Sequence, residues 1–274
     1  MHKIDIPREE KEAFRGVLIA LNNAGIRYVV GGAFAMHQYT GIWRYTKDLD
    51  IFLLPRDVER ALDLLARLGY NTRMEDYHWL AKAFRRGYMI DLIFGEGNWL
   101  HQVDEVWFQR SQPREVLGVP TRVVPIEEMI WSKAYIADRT RFDGADVMHL
   151  IQFSEGKLDW KHLLDRFDKD WELLLCYLNL FRFVYPSHKN YVPDWLMKEL
   201  IDRLRKDLKK PAPKEKICRG TLLDRLSFIH DVEEKGYVDA REELATALGY
   251  SVSDVMAERR WAAKRAHRKE LHVA

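Results

Sequence analysis

The 274-residue sequence has little cysteine and no long apolar run. Its two cysteines, Cys176 and Cys218, do not form a CxxC pair, which argues against a disulfide framework or a zinc knuckle and fits a reducing compartment. The most apolar stretch, residues 173–185, is too short to span a bilayer and includes Asn179 and Arg182. The first residues also lack the apolar core of a signal peptide. We therefore expect a cytoplasmic protein with no membrane segment.

An excess of charge of one sign is missing as well, because 44 Lys and Arg residues against 42 Asp and Glu residues leave a formal net charge of +2. A nearly neutral chain has no overall field that would force a nucleic-acid or membrane partner. The sequence contains no GxxxxGK[ST], GxGxxG or Gly-x-Ser-x-Gly motif, so the P-loop, dinucleotide-binding and α/β-hydrolase interpretations lack their signatures. Hydrophobic residues make up 47% of the chain, which is enough for a packed core.

Strand patterns occupy the first half of the chain and helical patterns the second. Apolar periodicity predicts helices at 8–24, 33–39 and 56–68, and strands at 28–30, 46–54, 78–84, 88–94 and 121–124. Beyond these, it predicts helices at 126–138, 145–153, 160–167, 171–184, 194–208, 221–234, 240–247 and 252–270. We therefore predict an α+β fold: a short mixed β-sheet flanked by helices over residues 1–122, and an all-helical C-terminal domain over residues 123–274 that closes over its cleft.

Two aspartates interrupt the otherwise apolar strand at residues 46–54. Because side chains alternate faces along a strand, Asp48 and Asp50 point the same way. Asp91 interrupts the later strand at residues 88–94 in the same manner. Unpaired charges are costly in such strands, and hard divalent cations prefer oxygen ligands. Three carboxylates can bridge two Mg²⁺ ions, so we predict two ions, one holding a triphosphate and the other, at Asp91, activating an attacking hydroxyl.

Two glycines stand at the end of the first predicted strand, where a helix begins. Without β-carbons, the backbone of Gly31 and Gly32 can approach an anion closely. The free N–H groups and the dipole of the helix start favour phosphate. Alone, such a pair of glycines is more often a tight turn. Followed by Asp48 and Asp50 on the next strand, it predicts a seat for a nucleoside triphosphate.

Residues 28–94 resemble the minimal nucleotidyltransferases of the polymerase-β superfamily, in which a strand ends in Gly-Gly or Gly-Ser, an Asp-x-Asp strand follows and a lone Asp comes later. The group includes AbiE-type and MenT-type toxin nucleotidyltransferases and, more distantly, the antibiotic nucleotidyltransferases. The resemblance implies that Gly31 and Gly32 bind triphosphate, that Asp48 and Asp50 bind both metals, and that Asp91 binds the catalytic metal. Two features depart from the pattern: Ala33 stands where many members have serine, and the long gap before Asp48 is interpreted as an extended loop through Tyr39 to Trp43.

Lys133 falls on the apolar side of the predicted helix at 126–138. In similar nucleotidyltransferases a lysine in the first C-terminal helix reaches the β- or γ-phosphate. The alternative is a lysine whose ammonium extends to solvent. Other charged and polar residues near the motifs have mostly structural interpretations. We expect Arg44 and Lys47 to be solvated, Asp143 to cap the next helix while nearby arginines pair with acids, and His37 to lie in the core or on the surface.

We predict Mg²⁺-dependent transfer of a nucleoside monophosphate from an NTP, such as ATP, to an acceptor hydroxyl, with release of pyrophosphate. Two alternatives stay open: a weakly active or silent protein that acts by binding, as a toxin–antitoxin or regulatory partner, and a phosphohydrolase that uses the same carboxylates. The acceptor is an RNA such as tRNA, a protein or a small molecule. Basic stretches at 203–214 and 259–269 would suit an RNA backbone, although a solvated basic helix is the more common explanation and a tail docking onto an acidic protein partner is a third.

Overall fold

The computed structural model describes residues 4–100 and 102–250. A seven-stranded mixed sheet lies at its centre, in the order β3-β4-β5-β2-β1-β7-β6. The strands are β1 (Tyr28–Val30), β2 (Asp48–Leu53), β3 (Asn71–Asp76), β4 (Leu80–Arg85), β5 (Tyr88–Ile93), β6 (Gln112–Val116) and β7 (Val119–Val123). Strand β2 pairs with β5 in parallel and with β1 antiparallel, while β1 pairs with β7 in parallel. The predicted mixed sheet is confirmed.

Helices flank this sheet and dominate the second half of the described chain. They are α1 (Arg8–Asn23), α2 (Gly32–Thr40), α3 (Val58–Arg67), α4 (Glu105–Arg110), α5 (Ile126–Ala134), α6 (Gly144–Phe153), α7 (Trp160–Phe167), α8 (Trp171–Val184), α9 (Asp194–Asp207), α10 (Ile229–Glu233) and α11 (Arg241–Ala247). Two short parallel strands, β8 (Ile217–Cys218) and β9 (Val238–Asp239), add a small second sheet to the helical C-terminal part. Across residues 4–100 and 102–250, no helix combines the length and apolarity that crossing a bilayer demands.

One hydrophobic core connects the sheet with the helices that follow it. Helix α1 buries Phe14, Val17, Leu18 and Leu21, the face that its apolar spacing predicts. The same continuous cluster of buried side chains runs on to Leu222. Hydrophobic contacts therefore cross the boundary placed between residues 122 and 123, and the division into two domains stays a prediction.

Several elements differ from the sequence-based prediction. Strand β3 was not predicted, because its residues are mostly polar and it lies at the sheet edge with alternate side chains exposed. Strand β6 was also missed; a tight turn joins it to β7, with positive φ at Leu117 and Gly118. Helix α2 continues through Thr40, so the proposed extended loop through Tyr39 to Trp43 begins only at Gly41.

The long helix predicted at 221–234 is wrong. A short 3₁₀ segment, Arg219–Leu222, and the five-residue helix α10 stand there instead. The Asp224 carboxylate accepts the N–H groups of Leu226 and Ser227, at 2.9 and 3.1 Å. Such side-chain bonds to nearby backbone compete with helix formation. The predicted helix at 252–270 and the basic stretch at 259–269 lie outside the described residues.

Candidate active site

The parallel pairing of β2 with β5 brings the three predicted aspartates together. Its register places Asp50 directly beside Asp91, and Asp48 lies two residues earlier on the same face of β2. One carboxylate oxygen from each residue lies within 4.8 Å of the others, and all three side chains are half-buried. Oxygen ligands at this spacing suit a hard divalent cation such as Mg²⁺. The structure therefore supplies the donor set that the sequence predicted.

The charges of these acids are poorly compensated. Burial raises the pKa of Asp50 to about 7, and the neighbouring charges of Asp48 and Asp91 add to the effect. Burial also raises the pKa of Asp91, although a hydrogen bond from Lys82 opposes it. Like charges in a half-buried site repel one another until a cation or a proton neutralises them. The site is thus electrostatically prepared for a positive ion.

The glycine turn contacts the strand that carries the acids. The Gly31 N–H donates to the backbone carbonyl oxygen of Asp50 at 3.0 Å. Gly32 is the first residue of α2 and has a φ of +52°, and a β-carbon there would overlap the Asp50 carboxylate. The first N–H groups of a helix have no intrahelical acceptor and favour an anion. Since the Gly31 N–H is already used, the anion donors at this turn begin with Gly32.

Lys133 is buried, with 8% of its surface exposed, and therefore does not extend its ammonium to solvent. Its Nζ lies 2.7 Å from one carboxylate oxygen of Asp143 and 2.7 Å from one of Asp146. Burial lowers the pKa of Lys133, while the Asp143 charge opposes that shift. Arg141 donates from Nε to the other Asp143 oxygen at 2.8 Å. The solvent-exposed alternative for Lys133 is wrong, and its contact with phosphate stays a prediction.

The other charged candidates have structural positions. Asp143 occupies the N-cap position of α6, but its side chain forms no capping hydrogen bond because it binds Lys133 and Arg141. Arg44 is exposed, as predicted, and it also pairs with Asp146. Lys47 is exposed, as predicted, whereas His37 is buried against the Trp43 ring.

A cavity of about 860 Å³ opens over Asp50, Asp91 and the glycine turn. Its wall combines the acid-bearing face of the sheet with α5, the loop after α5 and a segment near residues 221–230. Asn98, in the loop after β5, donates from Nδ2 to the Leu222 carbonyl oxygen at 3.3 Å and so ties that segment to the sheet side. The C-terminal part therefore borders the cleft, and Lys133 and Arg141 also line it.

Lys82, on β4, was not among the predicted site residues. Its Nζ lies 2.9 and 3.0 Å from the two carboxylate oxygens of Asp91. The signal was present in the sequence: Lys82 interrupts the apolar run from Leu80 to Phe84, just as Asp91 interrupts its own strand. A lone lysine in an apolar strand is as costly as a lone aspartate and indicates a buried counter-charge.

A family model described as "Uncharacterised nucleotidyltransferase" matches residues 12–183. Comparison with curated proteins found no match. Among solved structures, the chain is similar to the antibiotic-resistance factor ANT(2'')-Ia, with 15% identity, a TM-score of 0.46, and coverage of 62% of this chain and 96% of that one. It is also similar to the lincosamide antibiotic adenylyltransferase LnuA, with 13% identity, a TM-score of 0.41, and coverage of 54% and 99%.

A third similar structure is an antigenic nucleotidyltransferase-like protein from Paracoccidioides brasiliensis, with 15% identity, a TM-score of 0.42, and coverage of 67% of this chain and 93% of that one. Because these identities are low, the family is assigned from the family model and not from the solved structures. The matched region covers more than half of the 274 residues and includes the three aspartates, both glycines and Lys133. The chain belongs to the family of uncharacterised nucleotidyltransferases.

Proposed function

We propose that this protein transfers a nucleoside monophosphate from a nucleoside triphosphate to an acceptor hydroxyl in a reaction that needs Mg²⁺. One observation carries the proposal: Asp48, Asp50 and Asp91 converge within 4.8 Å of one another, next to a glycine turn that touches Asp50. Carboxylates bind a metal ion, and a helix start favours an anion. The two side by side therefore suit a triphosphate with a bound metal ion better than a metal ion or an anion alone.

The donor chemistry fits Mg²⁺. Asp48 and Asp50 would hold the ion, and Asp91 would complete the set on the neighbouring strand. When bound, Mg²⁺ neutralises charge on the phosphates and lowers the pKa of a bound hydroxyl. The raised pKa of Asp50 supports this assignment, because an unbalanced carboxylate cluster gains most from a cation. Two ions stay a prediction.

The chain's own residues account for the remaining steps. The N–H groups from Gly32 onwards would bind the triphosphate, and Lys133 and Arg141 would add positive charge to the same cavity. The acceptor oxygen attacks the α-phosphorus, so that a new O–P bond forms while the bond to the β-phosphate oxygen breaks. Pyrophosphate leaves with that bonding pair. The acceptor's proton passes to the Asp91 carboxylate.

The acceptor stays open among an RNA such as tRNA, a protein and a small molecule. For RNA, the basic stretch at 203–214 is one candidate contact surface. In α9, however, Arg203 pairs with Glu199 at 2.7 Å and Arg205 pairs with Asp202 at 3.0 Å. A helix surface with balanced charges gives an RNA backbone little to bind. The cavity beside Asp91 is therefore the better place to look for acceptor contacts.

The direct test incubates the protein with each α-labelled NTP, Mg²⁺ and fractionated cell extract. We expect one fraction to take up label and pyrophosphate to appear. Asp48→Ala should abolish both while keeping the wild-type circular dichroism spectrum, and activity retained in that variant refutes the proposal. Release of inorganic phosphate instead would identify a phosphohydrolase. Mg²⁺-dependent nucleotide binding without any product would favour the silent binding partner, such as one half of a toxin–antitoxin pair.

A further inference from the structure

The three aspartates differ in how their charges are balanced. Asp91 has an ion-pair partner, since the Lys82 ammonium contacts both of its oxygens. Asp48 and Asp50 form no ion pair within 4 Å anywhere in residues 4–100 and 102–250. The Thr46 hydroxyl donates to Asp48, but it carries no charge. One carboxylate thus has a cation in direct contact, whereas the Lys133 and Arg141 charges act on Asp50 only from farther away.

This asymmetry follows from the register of three adjacent strands. Lys82 on β4 stands opposite Asp91 on β5, and Asp91 stands opposite Asp50 on β2. The three side chains therefore lie in a row across one face of the sheet, with Asp91 between the ammonium and Asp50. Lys82 and Asp91 are well covered, with side chains 16% and 13% exposed. Sheet pairing holds the backbones of these three residues in this order. If the Lys82 side chain moved away from Asp91, each of the two would lose its counter-charge in a well-covered place.

We propose that the Lys82 ammonium takes the place of a second divalent ion at Asp91, so that the protein binds a single metal ion, on Asp48 and Asp50, when no nucleotide is present. The inference rests on the proposed metal-dependent function and revises the two-ion prediction. Three carboxylates and one ammonium carry a net charge of two negative units, which one divalent cation balances. Lys82 is accordingly a positioning residue: its ammonium contacts both Asp91 oxygens and holds that carboxylate in place beside the metal.

Removing the Lys82 ammonium should convert a site for one metal ion into a site for two. In Lys82→Met the side chain keeps an unbranched apolar stem but loses the ammonium, so Asp91 is left without its cation next to Asp50. Asp50 and Asp91 would then be able to hold a second divalent ion. Lys82→Arg preserves the positive charge and should preserve the single ion.

The experiment counts Mn²⁺ bound to the nucleotide-free full-length protein by electron paramagnetic resonance titration, since Mn²⁺ shares the preference of Mg²⁺ for carboxylate oxygen. We expect one ion in wild type and in Lys82→Arg, and two spin-coupled ions in Lys82→Met. The matched control is Lys157→Met, which removes an ammonium paired with Glu155 in an exposed position and should leave one ion. Lys82→Gln replaces Lys82→Met if the latter loses the wild-type circular dichroism spectrum.

The outcomes separate this inference from the proposed function. Two ions in wild type, or one ion in a folded variant without the lysine charge, would overturn the role of Lys82 and leave nucleotidyl transfer intact. Absence of Mn²⁺ binding in wild type, equal to that of Asp48→Ala, would overturn the metal site itself.

Discussion

Gly32 and Asp50 lie so close that residue 32 has no room for a β-carbon: an alanine there would overlap the Asp50 carboxylate. The backbone at Gly32 also has a φ of +52°, a region that side chains with a β-carbon rarely adopt. The residue that opens α2 thus also limits where the Asp50 carboxylate can lie. In the proposed function, phosphate binding and metal binding would be coupled at this contact.

Gly32→Ala should therefore lose metal affinity in addition to stability. A positive φ costs alanine about 1–2 kcal/mol, and the overlap pushes the Asp50 carboxylate away from its partners. Gly69→Ala is the matched control, because Gly69 has a φ of +82° with open space around it. We expect both variants to melt at lower temperature, but only Gly32→Ala to lose Mn²⁺ binding by titration. Equal Mn²⁺ affinity in the two variants would contradict the contact.

The stability of the metal-free protein should fall as the pH rises. The pKa of Asp50 is raised from its ordinary value of 3.8 to about 7, so the folded state holds this proton more tightly than the unfolded state does. This contribution is complete below the ordinary pKa and is lost as the pH rises through about 7. In EDTA, we expect the melting temperature of wild type to drop by several degrees from about pH 5 to about pH 8, relative to Asp50→Asn.

Excess Mg²⁺ should reduce the fall in the melting temperature of wild type with pH, because a bound ion neutralises the Asp50 carboxylate as the proton does at low pH. Asp50→Asn offers the ion one carboxylate fewer. Parallel pH profiles for the two proteins in EDTA would show that Asp50 is not the group responsible.

Lys133→Met should be strongly destabilising. The ammonium balances Asp143 and Asp146 in a place where all three side chains are about one-tenth exposed or less. Removing one partner of a buried ion pair costs up to about 3–5 kcal/mol, and because Arg141 and Arg44 still pair with the two acids, we expect a loss toward the lower end of that range. The free energy of unfolding in urea measures the loss. Lys157→Met is the comparison, because exposed pairs contribute about 1 kcal/mol or less; similar losses in both variants would contradict the burial argument.

Arg241→Met should loosen the segment that borders the cavity. Arg241 Nη2 lies 2.8 Å from an Asp239 carboxylate oxygen, and both side chains are fully buried. The variant leaves the buried Asp239 charge without its arginine. This pair belongs to the same C-terminal part of the chain as the cavity-lining residues 221–230. We expect faster hydrogen exchange across residues 217–247 and a raised KM for the NTP.

Lys235→Met tests whether this effect is specific to the buried pair. It removes an exposed ammonium that contacts Asp231 at 2.8 Å in the same segment. Its hydrogen exchange and KM should match wild type. An equal change in both variants would mean that the segment is sensitive to any loss of positive charge.

The elements that sequence patterns identified are those whose signal is local. Apolar spacing gave the buried face of α1, and strand alternation put Asp48 and Asp50 on one face because the side-chain period of a strand is fixed by its backbone. Patterns failed where a local competitor or an edge position intervened. At 221–234, hydrogen bonds from backbone N–H groups to the Asp224 side chain form a turn where a helix is predicted. The edge strand β3 is mostly polar and has no apolar alternation to detect.

Local sequence patterns supply the candidate groups: three strand-borne carboxylates, a glycine turn and a lysine on an apolar helix face. Which of these groups meet depends on how the strands pair. The pairing of β2 with β5 places Asp50 beside Asp91, and the pairing of β4 with β5 places Lys82 beside the same residue. The β4–β5 register follows from the tight turn at Arg86 and Gly87, whereas the β2–β5 register depends on contacts between segments that are distant along the chain.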